Sequence, residues 1–489
     1  MSVFLLGLAA LIAGYTLWGR LTEGAVRPDP RRVPPAFAQR DGVDFMPLPT
    51  WRVYLVQLLN IAGLGPVFGP ILGALWGPQV FLWVVLGSIL GGAVHDFLAG
   101  AMSMRHQGEG LPELIGRYLG APARHFTTFY ILGLMVLVGT VFVKGPAMLV
   151  VKLLPPSLLD GTPLGPLVQG EWLGQPVWLQ LVMVAIFAYY IAATMLPIDK
   201  LIGRVYPWFA VALLVMVGGI GGHMVLHGVD VPSWSLANTH PEGLSAWPVL
   251  FITVSCGAVS GFHATQSPMM ARCLVNERHM RLVFYGAMIG EGVIALVWAA
   301  AAQGYYSGPT ELQAVLSAGG PAEVVFDVAT RTLGTAGAFL ALVGVVVLPI
   351  TSGDTAFRVA RLIAAEYLRL DQRVPLNRYL IAVPLFGAAL ALNFADFSVI
   401  WRYFGWMNQT LSVFALWTGA VFLRRTGRWA WLAVGPALFM TAVTVAFICV
   451  KNYVYDLDVI TGTIAGVVAA GLALALFLRT PMAPAHRGA

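Results

Sequence analysis

Thirteen stretches of this 489-residue chain are apolar over roughly 20 residues, the helix length that crosses the hydrocarbon of a bilayer. They fall at about 2–18, 51–77, 79–103, 124–153, 176–196, 203–226, 246–275, 281–304, 330–351, 377–394, 397–423, 428–450 and 458–478. Backbone N–H and C=O groups in hydrocarbon must be satisfied within the crossing segment, and a helix does that. The pattern predicts an all-α polytopic membrane protein of about 13 transmembrane helices. Only 11% of residues are charged, against roughly a quarter in soluble domains. The 15 Trp, 15 Tyr and 54 Gly suit interfacial aromatics and close helix contacts.

Lys and Arg orient these spans. With the N-terminus outside, the cytoplasmic loops collect 24 of the 29 basic residues, whereas the opposite loops 155–175, 227–245 and 305–321 contain none. The cytoplasmic set includes Arg20 to Arg52, Lys200 and Arg204, Arg272 to Arg281, Arg358 to Arg378, Arg424 to Arg428, and Arg479 and Arg487. The positive-inside rule selects this topology and puts the C-terminus in the cytoplasm. It also accounts for the net charge of +6 without a nucleic-acid partner. The first span lacks a basic leader and a small-residue cleavage site, so it is expected to stay as an uncleaved helix.

Two spans are broken at their centres by glycine, proline and polar residues. One break runs Asn60-Ile61-Ala62-Gly63-Leu64-Gly65-Pro66, the other Cys256-Gly257-Ala258-Val259-Ser260-Gly261-Phe262-His263. Unwound backbone at membrane depth survives only where protein or a polar cavity receives it. Counting from the first break gives five spans, 51–226, and from the second another five, 246–423. Five is odd, so the second set enters from the opposite side. An inverted 5+5 repeat with discontinuous first helices follows, with a substrate site at the midplane between the breaks. Residues 1–50 add an extra helix and a basic loop, and 428–478 add two C-terminal helices. Glycine placed only for helix packing is the alternative.

The stretch Asn60 to Gly69, the run Gly91-Gly92-Ala93-Val94-His95-Asp96-Phe97, the motif Leu111-Pro112-Glu113 and the block Ser255 to Ser267 resemble the carbon starvation protein A family. The resemblance extends from about Val53 to Arg361, and the chain is similar to the shorter members, which lack a long C-terminal extension. It implies the leucine-transporter fold, a bacterial inner-membrane location, and uptake of pyruvate or short peptides during carbon starvation.

Unwinding leaves N–H groups and a positive dipole end at the start of each second half-helix, at Gly63 to Pro66 and at Gly261 to Thr265. Both favour a carboxylate, which pyruvate and a peptide C-terminus share. Asn60, Ser260, His263, Thr265 and Gln266 add donors and acceptors without permanent charge. With Gly63, Gly65 and Gly261 they form the expected substrate site.

An ionisable group in the bilayer is costly and by default a functional candidate. Asp96 and Glu291 lead as proton carriers, because desolvation brings a buried carboxylate's protonation within reach of neutral pH. Pairing with Lys144 is their structural alternative. Adjacent helix positions point about 100° apart, so His95 and Asp96 need not share a neighbour. Thr351, Ser352, Asp354 and Thr355, expected at the cytoplasmic end of the eighth repeat helix, form a second candidate cation site. Resemblance to the leucine-transporter fold implies sodium or a proton there; plain helix capping beside Arg358 is the alternative. Arg402 is read as an interfacial anchor or an outer-entrance carboxylate ligand.

No cofactor is required by these features beyond a coupling ion, H+ or Na+. His95, Cys256 and His263 are weak candidates for a metal, since only the fold could assemble them. Three cysteines give no zinc knuckle and no disulfide framework, and the absence of a phosphate-binding glycine loop disfavours nucleotide-driven transport. An enzyme is not expected. A symporter is the leading reading, an uncoupled channel or a starvation-related membrane sensor the alternatives; the oligomeric state stays open.

Overall fold

Long apolar helices dominate the computed structural model, which describes residues 1–163, 165–195, 206–395, 397–450 and 457–481. Lys200, Arg204 and Arg487, assigned above to cytoplasmic segments, lie outside the described residues. In chain order the principal helices begin with α1 (Ser2–Val26), α2 (Thr50–Ile61), α3 (Gly65–Gly73) and α4 (Gln79–Arg105). Next come α5 (Ala121–Leu153), α6 (Val177–Met195), α7 (Tyr206–Leu226), α8 (Ala246–Thr253) and α9 (Gly261–Ala271). Then follow α10 (Glu277–Gly304), α11 (Pro309–Leu342), α12 (Leu348–Leu368) and α13 (Pro375–Leu392). The series ends with α14 (Phe397–Arg425), α15 (Trp431–Cys449) and α16 (Val459–Leu478). Among the described residues, nine helices are long and apolar enough to cross a membrane, and the bent pair α2–α3 makes a tenth.

Burial sorts the helices. α4 and α10 are almost enclosed, whereas α1 and α16 lie at the periphery. The enclosed helices surround the two breaks: α9 packs on α4 and α14, α10 on α3, and α5 on α12.

The eighth repeat helix departs from expectation. α11 is interrupted at Gly320 (φ 70°) and Gly334 (φ 60°), so part of the segment 305–321, read as a loop, is helical. Beyond Gly334 the helical path continues through a wide π turn, Val343–Val347, into α12. Thr351 to Thr355 therefore sit inside a helix and not at its end, and Asp354 does not cap. Arg358 and Arg361, assigned to a cytoplasmic loop, are likewise inside α12 and fully buried. The apolar-run criterion stopped at residue 351 because it measures fitness for lipid. This part of α12 faces protein, where polar side chains find partners.

One of those partners comes from the loop before α2. Asp41 Oδ1 accepts from the N–H groups of Val43, Asp44 and Phe45, at 2.8, 2.9 and 2.9 Å. The turn so fixed presents Asp44 to Arg358 and Arg361, each at 3.1 Å. Burial pushes the Asp44 carboxyl up, but the Arg361, Arg358 and Arg272 guanidiniums outweigh it and hold the group below the ordinary carboxylate range. Leu48 N–H, bonded to the Cys273 carbonyl at 3.0 Å, ties the same loop to the end of α9.

Candidate functional site

The first break is short. α2 stops at Ile61, α3 restarts at Gly65, and the two axes differ by 46°. Ser352 of α12 donates to the Leu59 carbonyl at 3.4 Å, and a side chain at Gly63 would meet its Oγ at 2.8 Å. The start of α3 has no side-chain cap. Both Asn60 side-chain polar atoms are buried and hydrogen-bonded to nothing among the described residues, a state that costs about 1–3 kcal/mol per group unless a ligand relieves it.

The second break is longer and largely satisfied internally. Gly257, at φ +86°, turns the chain and gives its N–H to Glu291 Oε1 at 3.1 Å. Ser260 N–H reaches His95 Nε2 at 3.3 Å, and Phe262 N–H reaches Asn408 Oδ1 at 2.7 Å. The N–H groups expected to await a carboxylate at the start of α9 are thus partly filled by a side chain of α14. Gly261 lies against that same helix, where a Cβ would collide with the Asn408 carbonyl and Leu411. Thr265 bonds the Phe262 carbonyl at 2.7 Å, and Gln266 Nε2 bonds Thr265 Oγ1 at 3.3 Å. The start of α9 thus has a side-chain partner that the start of α3 lacks. The two breaks touch where Cys256 occupies the space that a Cβ on Gly65 would need.

Four ionisable side chains meet behind the second break, all fully buried. His95 Nδ1 is 2.9 Å from Asp96 Oδ1, so these neighbours on α4 do share an environment. His263 Nδ1 lies 3.7 Å from Asp96 Oδ2 and 3.3 Å from Glu291 Oε2. Lys144, offered as an alternative partner for both carboxylates, instead gives Nζ hydrogens to the Asn393 and Ala395 carbonyls at 3.0 and 2.8 Å.

Asp354 forms a separate centre on α12. Tyr206 donates to its Oδ2 at 2.5 Å and lies 3.1 Å from the Tyr189 hydroxyl. Asp354 Oδ1 is buried without a hydrogen-bond partner among the described residues. Thr351 and Thr355 bond the carbonyls of Leu348 and Ser352, at 2.8 and 3.0 Å. The hydroxyls of this quartet do not all converge on one point: Ser352 faces the first break while Asp354 faces α7.

Asn408 and Tyr206 were not singled out as site residues. Asn408 and Gln409 in mid-span carried a usable signal, since two amides in a membrane helix need partners; Tyr206 carried none. Towards the opposite end from Asp44, a cavity of about 310 Å³ reaches Ser255 between Trp76, His240, Trp401 and Arg402.

A family model described as carbon starvation protein CstA matches residues 1–158, 164–318 and 307–447. An uncharacterized membrane protein of Haemophilus influenzae is 44% identical over 356 residues, 65% of this chain and 95% of that protein. Two proteins named peptide transporter CstA are more distant. That of Helicobacter pylori is 31% identical over 315 residues, covering 55% of this chain and 46% of the relative. That of Escherichia coli is 28% identical over 374 residues, covering 65% and 52%. The matched region spans about half the length of these peptide transporters. Among solved structures, MhsT in complex with L-phenylalanine aligns with a TM-score of 0.55 at 13% identity, covering 88% of this chain and 98% of that one. The likeness shows the leucine-transporter fold.

Proposed function

Since the chain belongs to the carbon starvation protein CstA family, we propose that it imports short peptides or pyruvate by cation symport with alternating access. It is a membrane transporter and not an enzyme. The observation that carries the proposal is the pairing of the breaks: an uncapped α3 start and an unpartnered Asn60 amide face the interior beside a second broken helix. Asn60 and the Gly63–Gly65 backbone take the substrate carboxylate. Ser260, Gly261, His263, Thr265 and Gln266 form the opposite wall. The five-helix sets 51–226 and 246–423 rock against each other around it, in a bacterial inner membrane with the N-terminus outside.

Coupling is assigned to Asp354, whose unpartnered Oδ1 is available to a proton or to sodium, with Thr351, Ser352 and Thr355 as the surrounding oxygens. The chemistry needs no cofactor. Relatives named peptide transporters favour a peptide, and the carboxylate-seeking end of α3 serves pyruvate equally.

Purified protein in liposomes, given labelled pyruvate or a labelled dipeptide under a proton gradient, a sodium gradient or neither, decides the matter. Accumulation under one gradient, abolished in Asp354→Asn but retained in Asp96→Asn, is the expected result. Loss in Asp96→Asn alone would reassign coupling to the central cluster. Equilibration without accumulation would make the protein a channel, and no flux of either compound would refute the substrate class.

A further inference from the structure

The geometry points to a buried transition-metal site, of the kind that holds zinc, built from Cys256, His263 and Glu291. One ligand atom from each lies within 4.8 Å of the other two. Cys256 and His263 stand at the two ends of the second break and Glu291 in the middle of α10, so the set is completed by a contact between two pieces of the fold. All three are buried, Cys256 at 5% exposure and the other two at zero.

Polar satisfaction argues for a cation. His263 Nε2 has no hydrogen-bond partner among the described residues, and Glu291 Oε2 and the Asp96 oxygens have only the ring nitrogens of His263 and His95 beside them, at 2.9 to 3.7 Å. Two carboxylates in so enclosed a space are either protonated or matched by positive charge, and the imidazole and thiol beside Glu291 favour a cation. A divalent ion at the Glu291 oxygen supplies that charge while also taking up the imidazole nitrogen and the thiol sulfur.

Donor chemistry selects the metal class. Sulfur and imidazole exclude calcium and magnesium, which take oxygen shells, and suit zinc and its neighbours. Three protein ligands leave a fourth position open, as in zinc sites that also bind an exchangeable molecule. With His263 Nε2 as the ligand, its Nδ1 is turned towards Asp96 Oδ2 at 3.7 Å, the side from which a supporting carboxylate acts on a metal-bound histidine. His95 is not a ligand: one ring nitrogen faces Asp96 and the other the Ser260 N–H. The inference is independent of which substrate is carried.

The test measures metal content of the purified full chain, expressed with supplementary zinc, by elemental analysis. About one zinc per chain is expected in the wild type, lost in Cys256→Ser and in Glu291→Gln and unchanged in Cys449→Ser, whose thiol is buried elsewhere. Asp96→Asn should weaken zinc binding by about 10–100-fold. Cobalt-loaded protein should show a thiolate-to-metal charge-transfer band that Cys256→Ser removes. Size-exclusion profiles identify variants that fail to fold, and the cobalt band of the wild type stands apart from any variant. A folded wild type that takes up neither zinc nor cobalt overturns the site, as does a Cys256→Ser protein that keeps the metal and the band.

Discussion

Asn60 and Asp354 are the two side chains whose unpartnered polar atoms have the clearest consequences. Replacing Asn60 by Ala removes two buried, unsatisfied atoms from the resting protein. The substitution should therefore leave thermal stability nearly unchanged while raising the KM for uptake, a split that a melting curve and a transport titration measure together. Gly257 behaves oppositely. Its φ of +86° costs an alanine about 1–3 kcal/mol of strain, and the new Cβ would lie 2.5 Å from that of Ala295. Gly257→Ala should lower the melting temperature clearly, and an unchanged midpoint would deny that the break requires this backbone.

At the scale of elements, Asp44 joins the loop before α2 to α12. It is a counter-charge to two fully buried guanidiniums, and removing one member of such a set costs about 3–5 kcal/mol. Asp44→Asn should destabilise the protein on that order in a denaturation series. Because its folded-state carboxyl titrates below the ordinary range, the ion pairs contribute fully above the unfolded-state value. The contribution fades as pH falls through the lower folded-state value. The wild-type advantage over Asp44→Asn should therefore be constant near neutrality and shrink in acid; an advantage that grows in acid contradicts the pairing. The same element marks where sequence reading stopped. The two breaks were legible because glycine, proline and polar residues interrupt apolar runs. The course of α12 was not, since Asp354, Arg358 and Arg361 end an apolar run without ending the helix. The His95–Asp96 contact was equally hidden, because helix spacing gives directions and not χ angles.

For the whole molecule, orientation is the property with the sharpest test. The native cysteines Cys256, Cys273 and Cys449 are buried, so an introduced thiol reports with little background. Ser235→Cys should react with a membrane-impermeant maleimide on intact cells and Arg278→Cys only after lysis; the reverse pattern would invert the topology. Fold class came through at this scale because helix length and charge asymmetry repeat along the chain, whereas the meeting of Cys256 and His263 with Glu291 depends on the second break folding against α10.

The contact of Cys256 with Gly65, continued where Gly69 and Gly73 lie against Thr253 and Val254, makes the two interrupted helices bear on each other along one seam. Levers that share a fulcrum cannot swing separately: tilting one half-helix presses on its counterpart across the pivot. Enlarging position 65 even to alanine would put a shim in that fulcrum. It should fix the protein in one posture, with substrate exchange slowed and both breaks still intact.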